Sequence, residues 1–119
     1  MPLEGIKSVA SWLADNKSLQ ILALCRNNVA DAGAKDLAIA LKKNAALAHL
    51  WLIDSKVGDS GGKAFGQAMA RNRSLCSIEL RLNPISQVSS RFVLSSCDAN
   101  QKRAERRARG EPTDSDDDW

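Results

Sequence analysis

The chain has one histidine and three cysteines among its 119 residues, and no long apolar run. Each shortage removes a class of function. A nucleophilic hydrolase needs a serine or cysteine beside an oriented base. His49 is the only histidine, and no serine or cysteine stands in a recognisable nucleophile setting. A metal site needs three or four clustered ligands, yet Cys25, Cys76 and Cys97 lie at no ligand spacing, so no metal and no cofactor is predicted. The odd cysteine count, with neither a basic leader nor a continuous apolar stretch near the start, predicts a reducing, intracellular setting, cytoplasmic with the nucleus as the alternative. No segment approaches the ~18 consecutive apolar residues of a membrane span, so no membrane partner is expected. The glycines at 58, 61 and 62 lack the lysine and the spacing of a phosphate loop, and helix initiation accounts for them.

What the chain does have is 44% hydrophobic residues, enough for one compact domain, and a regular repeat. Asn16, Asn44, Asn72 and Asn100 are each 28 residues apart. Apolar columns keep that register: Leu19, Leu47 and Leu75; Leu22, Leu50 and Ile78; Leu24, Leu52 and Leu80; Val29, Val57 and Ile85; Leu37, Phe65 and Val93; Leu41, Met69 and Cys97. Within a copy the apolar spacing is first two residues and then three and four, so each unit reads strand, loop, helix. Asp31 is predicted to cap the first such helix, and Gly66 to mark a close approach of the second helix to a neighbour. Strands joined through helices run parallel, with a right-handed crossover that puts the helices on one side.

The pattern LxxLxLxxN followed by a valine, glycine and alanine-rich helix resembles leucine-rich repeats of the ribonuclease-inhibitor type. Residues 47 to 72, LAHLWLIDSKVGDSGGKAFGQAMARN, look like the repeats of NOD-like receptors. The resemblance covers residues 1 to about 99 and implies a short right-handed α/β solenoid, with parallel strands on a concave face and helices on a convex face. It implies a protein-binding scaffold, because the family is used mostly in that way. The expected organisation is a partial helix over 1–15, repeats over 16–43, 44–71 and 72–99, a basic helical extension over 100–110 and a disordered acidic tail over 111–119. The family's loop asparagine is present as Asn27 and Asn83 but replaced by Ser55, a shorter side chain expected to leave a loop backbone group to water. The missing first strand predicts exposed sheet edges, and with them self-association or stacking.

The net charge of +3 is unevenly spread. Residues 98 to 109, DANQKRAERRAR, have high helix propensity, with Asp98 four before Lys102 and with Lys102, Arg106 and Arg109 on one face. This basic stripe suits nucleic acid or an acidic surface, but no aromatic residue is interleaved for base stacking, which disfavours nucleic acid. The acidic residues beyond it serve as a solubilising tail whose charge can fold back on the basic helix. Thr113 and Ser115, each with an aspartate three residues on, resemble acidic-directed kinase sites.

Strand side chains alternate faces, so with Leu22, Leu24 and their counterparts turned into the core, the residues between them point to the open side. The predicted protein-binding residues are Ile21, Arg26, His49, Trp51, Ile53, Asp54, Glu79 and Arg81, with Arg26 and Asp54 expected to pair across the sheet. Trp51 stands at the centre with charges at the margin, the anatomy of an interface anchor. The sequence is therefore read as a non-catalytic protein-interaction module whose partner is an unidentified protein. A GTPase regulator is the remaining alternative, since Ran GTPase-activating proteins share this repeat type and carry acidic tails. Arg26 and Arg81 lie near strand ends, but no matching motif carries a catalytic role onto either.

Overall fold

Leu50 and Leu52 have no exposed surface, while Trp51 between them is 41% exposed, so the two-residue period decides which side chains enter the core. The computed structural model describes residues 3–111, with side chains described from residue 5. Seven elements alternate along it: α1 (Leu3–Asp15), β1 (Ile21–Ala23), α2 (Ala30–Lys43), β2 (His49–Trp51), α3 (Asp59–Met69), β3 (Ser77–Glu79) and α4 (Gln87–Ala108). The strands form one parallel sheet in the order β1-β2-β3, with Ile21 beside His49 and His49 beside Ser77. The ladder runs past the short strands, as Leu24 N–H donates to the Trp51 carbonyl (2.8 Å), Arg26 to Ile53 (2.9 Å) and Asp54 to Arg81 (3.0 Å).

Ile6, Leu13, Leu37, Leu41, Phe65 and Val93 on the helices meet Leu50, Leu52 and Ile78 from the sheet in one buried cluster. Burying each of these side chains stabilises the fold by about 1.5–3 kcal/mol.

The asparagine column carries the polar half of the core. Asn44 Nδ2 donates to the Leu13 carbonyl (2.8 Å) and the Asn16 carbonyl (3.0 Å), while its Oδ1 accepts from the N–H groups of Ala46 (2.9 Å) and Leu47 (2.7 Å). Asn72 repeats the set one unit later, on Leu41, Asn44, Ser74 and Leu75. Each asparagine thus closes the end of one helix, turns its own chain towards the next strand and ties two units together.

The expected short leucine-rich repeat solenoid, with a concave strand face and a convex helix face, is corrected by this architecture. The chain forms a small, compact, helix-dominated α/β fold. Helices of 13, 14, 11 and 22 residues outweigh three strands of three residues each. The radius of gyration is 13.9 Å, close to the ~13.5 Å of a compact domain of this length, with extents of 42 × 30 × 22 Å. The physical reason is that residues 100–108, in register with residues 72–80 that lead into and contain β3, continue α4 instead of forming a further strand. Asn100 still bonds the Asn72 carbonyl (3.1 Å) and the Leu75 carbonyl (2.9 Å), but its Oδ1 accepts from the Arg103 guanidinium in place of a following strand. The helix lies against β3 at that edge. On the other side, no described strand pairs with the outer edge of β1.

Two local expectations change as well. Asp31 does not cap its own helix, whose N-cap Val29 has no side-chain bond; its carboxylate accepts from Gly58 (2.8 Å) and Gly61 (2.9 Å) and so caps α3 of the next unit. Asp59 likewise reaches forward to Ser86 N–H (2.7 Å), the N-cap residue of α4. Ser55 is fully buried and its hydroxyl reaches the carbonyls of Leu24 (3.0 Å) and Ile53 (3.2 Å), which reproduces the donor half of the asparagine's role, whereas Asn83 Oδ1 also accepts from the N–H groups of Ser55 (2.8 Å) and Val57 (3.0 Å). The Leu24 bond has the same span as that of Asn83 Nδ2 to the Leu52 carbonyl (2.6 Å).

Candidate functional site

The sheet is covered by helices on the face of Leu50 and Leu52, which leaves its other face open, with side chains fixed by the strand backbone. On it Ile21 is exposed at the outer strand, and Trp51 is exposed on the middle strand. His49 precedes Trp51 on the same face and is half-buried, as are Ile53 and Cys25 just past the strands. Ile21 pairs in register with His49, and Ala23 with Trp51, so the small alanine leaves one side of the indole open. On the third strand Glu79 stands beside Trp51, held by its own ion pair with Arg81 (2.9 Å).

The structure brings six of the eight predicted residues onto this surface: Ile21, His49, Trp51, Ile53, Glu79 and Arg81. Arg26 and Asp54 differ. Both are exposed, but among the described residues they form no ion pair with each other. Both take positive φ, 60° and 53°, as does Leu82 at 62° one unit on. The strand exit of each unit thus takes the left-handed backbone conformation, which breaks the strand's alternation at these positions. Thr113 and Ser115 lie outside the described residues.

Sequence reasoning missed a second exposed apolar area. Val88 and Phe92 on α4 are 80% and 61% exposed beside Gly62, Gly66 and Ala70 of α3, where the helices leave a groove of about 660 Å³. The signal was available in the columns: Phe92 falls over Ala64 and Asp36, so a large ring replaces smaller side chains at one helix position.

Cys97 is buried against the core, and burial pushes its thiol up to about 12; burial also raises Cys76 at the start of β3. Both are held as neutral thiols at neutral pH. Among the described residues there is no group of three or more histidine, cysteine, aspartate or glutamate side chains able to hold a metal ion. Nor is any described helix long and apolar enough to cross a membrane.

These features define a small α/β domain that presents an apolar, charge-rimmed strand face. No protein-family model and no curated protein matches the chain. Among solved structures it is similar to a chain described as leiomodin-1 actin-binding site 2, with 17% identity, a TM-score of 0.71, and coverage of 93% of this chain and 83% of that one. At this identity the likeness is one of fold, and it agrees with the compact architecture above.

Proposed function

We propose that this chain is a non-catalytic protein-interaction domain whose partner docks on the open strand face, centred on Trp51. The observation that carries the proposal is the exposure of a tryptophan fixed between two fully buried leucines on the central strand. A side chain so placed loses little conformational freedom on binding and presents a large apolar area, which is why tryptophan is enriched among interface hot spots. Ile21 and Ile53 extend the apolar centre, and His49, Glu79 and Arg81 supply a polar margin. A protein of similar fold that serves as an actin-binding site makes actin the first partner to test. Kinship with ribonuclease-inhibitor-type repeats belongs to the same proposal, supported by the 28-residue columns, and so does a cytoplasmic setting, supported by the unpaired cysteines.

The test is Trp51→Ala, assayed for thermal melting, for actin co-sedimentation and for recovery of partners captured from the parent cell's extract. The melt should stay within a few degrees, since the ring is partly solvated. Binding should fall by ~2 kcal/mol or more, about thirtyfold. Undiminished binding by a folded variant would move the interface off the sheet.

A further inference from the structure

The 28-residue register that sets the core also repeats on the outside of the helices. Lys7, Lys35, Lys63 and Arg91 are each 28 residues apart, one on each helix, and all four are exposed. Packed helices lie about 8–10 Å apart, so these cations form a row across the helical face at that spacing. None of the four has an ion pair among the described residues.

Along the row the surroundings differ. Between α1 and α2, Lys7 and Lys43 share a groove with Asp15 and Asp36, so the charges there offset one another. The α2–α3 groove, of about 470 Å³, holds three lysines and no carboxylate. One wall is a stripe of α2, with Lys35, Ile39 and Lys42 at i, i+4 and i+7; the other is Ser60, Lys63 and Gln67 of α3. The acidic groups at the N-terminal ends of these two helices, Asp31 and Asp59, are taken up in capping the helices that follow. Ile39 is 57% exposed at the middle of its stripe, while Ala38 and Ala40 on either side of it in the chain are buried. An occupant that covers Ile39 removes apolar surface from water, and anionic groups at its two sides meet the lysines.

The spacing selects the form of that occupant. Seven residues of helix rise about 10.5 Å, which is the interval from Lys35 to Lys42. An extended strand presents one face every second residue, at about 6.6 Å or 13 Å, and misses that interval. A second helix presents i and i+7 on one face at the matching interval, with i+3 and i+4 between them to cover Ile39. No aromatic residue lines the groove to stack on a base, which disfavours nucleic acid.

We propose that the α2–α3 groove is a docking site for an acidic amphipathic helix of another protein, whose carboxylates at i and i+7 pair with Lys35, Lys42 and Lys63 and whose apolar residues between them cover Ile39. The site lies on the helical layer, on the side of the sheet away from Trp51, so it is independent of the strand face.

The probe is the peptide EAALLAAEAALLAAE, with KAALLAAKAALLAAK as control, titrated into the isotopically labelled full chain at about 10 mM salt, where the Debye length is about 30 Å. Amide shifts should centre on Lys35, Ile39, Lys42, Lys63 and Gln67. Lys35→Glu combined with Lys63→Glu should weaken the glutamate peptide about tenfold or more and let the lysine peptide bind instead. Trp51→Ala should leave both affinities unchanged, which separates this site from the strand face. Both lysines are exposed, so the exchange spares the core, and the melt of the double variant checks that it is folded. Equal binding of the two peptides by the parent chain would overturn the proposal, because the groove would then select apolar surface alone. So would a footprint centred on residues 102–109. Loss of the same signals on phosphatidylserine-containing vesicles, without any response to the peptide, would overturn it too and make this face a membrane surface.

Discussion

At the scale of single residues, the fold depends on side chains that finish hydrogen bonds the short strands cannot make. Asn44, 4% exposed, serves two carbonyls of the preceding unit and two N–H groups of its own. An alanine there would strand buried polar groups at about 1–3 kcal/mol each where water cannot reach them. The spacing of this asparagine was readable in the sequence, because a polar residue that precedes every apolar run has to be doing something periodic. The bond that Ser55 shares with Asn83, donation to a carbonyl of the preceding unit, was not, since it depends on how closely the Leu24 carbonyl approaches the loop. Cys97 yields a second prediction. Burial lifts its thiol to about 12, so in the native chain at pH 8 it should resist iodoacetamide and react only after denaturation, as followed by mass spectrometry. Rapid labelling of Cys97 in the native state would show that the C-terminal half of the core opens readily.

Among the elements, α3 shows why glycine content alone does not predict packing. Gly61 and Gly66 are both buried within it, yet a Cβ on each would meet different surroundings. At Gly61 the contacts are Ala34 Cβ and Asp31 Oδ1, both at 2.8 Å, and Val57 Cγ1 at 3.0 Å, all held by the core or by a capping bond. At Gly66 the contact is the exposed Phe92 ring, which has solvent to swing into. Gly61→Ala should therefore cost about 1–3 kcal/mol by overpacking, while Gly66→Ala should be neutral or stabilise by up to ~1 kcal/mol through helix propensity. Urea denaturation of the two variants distinguishes them. Helix caps give a pH prediction at the same scale. The Ser86 N–H, then the Ser86 and Ser89 hydroxyls, hold the Asp59 carboxyl below the usual carboxylate range. A carboxyl whose folded value lies below its unfolded value of ~4 adds stability fully above that value, and the addition disappears as pH falls through the folded value. Asp59→Asn should thus be less stable than the parent at pH 6, and that gap should narrow as the pH falls below ~4. A constant gap would show that the cap is not acting through its charge.

Over the whole molecule, the sequence specified the units more fully than it specified their assembly. Six apolar columns at a 28-residue period located every strand, the core-facing alternation and the outward position of Trp51, because periodicity reports which side of an element meets the core. They did not show where repetition stops. The stretch after Asn100 has strong helix formers and no leucines, and it continues α4, where Asn100 Oδ1 accepts from Arg103 of the same helix rather than from the backbone of a following strand. That difference in position should show in unfolding. Asn72 sits between two units, bonded to the Leu41 and Asn44 carbonyls on one side and to the N–H groups of Ser74 and Leu75 on the other, so its loss weakens a joint in the middle of the stack. Asn72→Ala should lower the stability of the whole chain by ~3 kcal/mol while leaving a single cooperative transition. Asn100 closes only the last joint, with the helix extension beyond it. Asn100→Ala should therefore leave most of the core's stability intact and instead accelerate amide exchange over residues 101–108, as that part of α4 loses its anchor on the Asn72 and Leu75 carbonyls. Hydrogen exchange read by mass spectrometry checks both at once. Equal, global acceleration in the two variants would show that the extension unfolds with the core rather than before it.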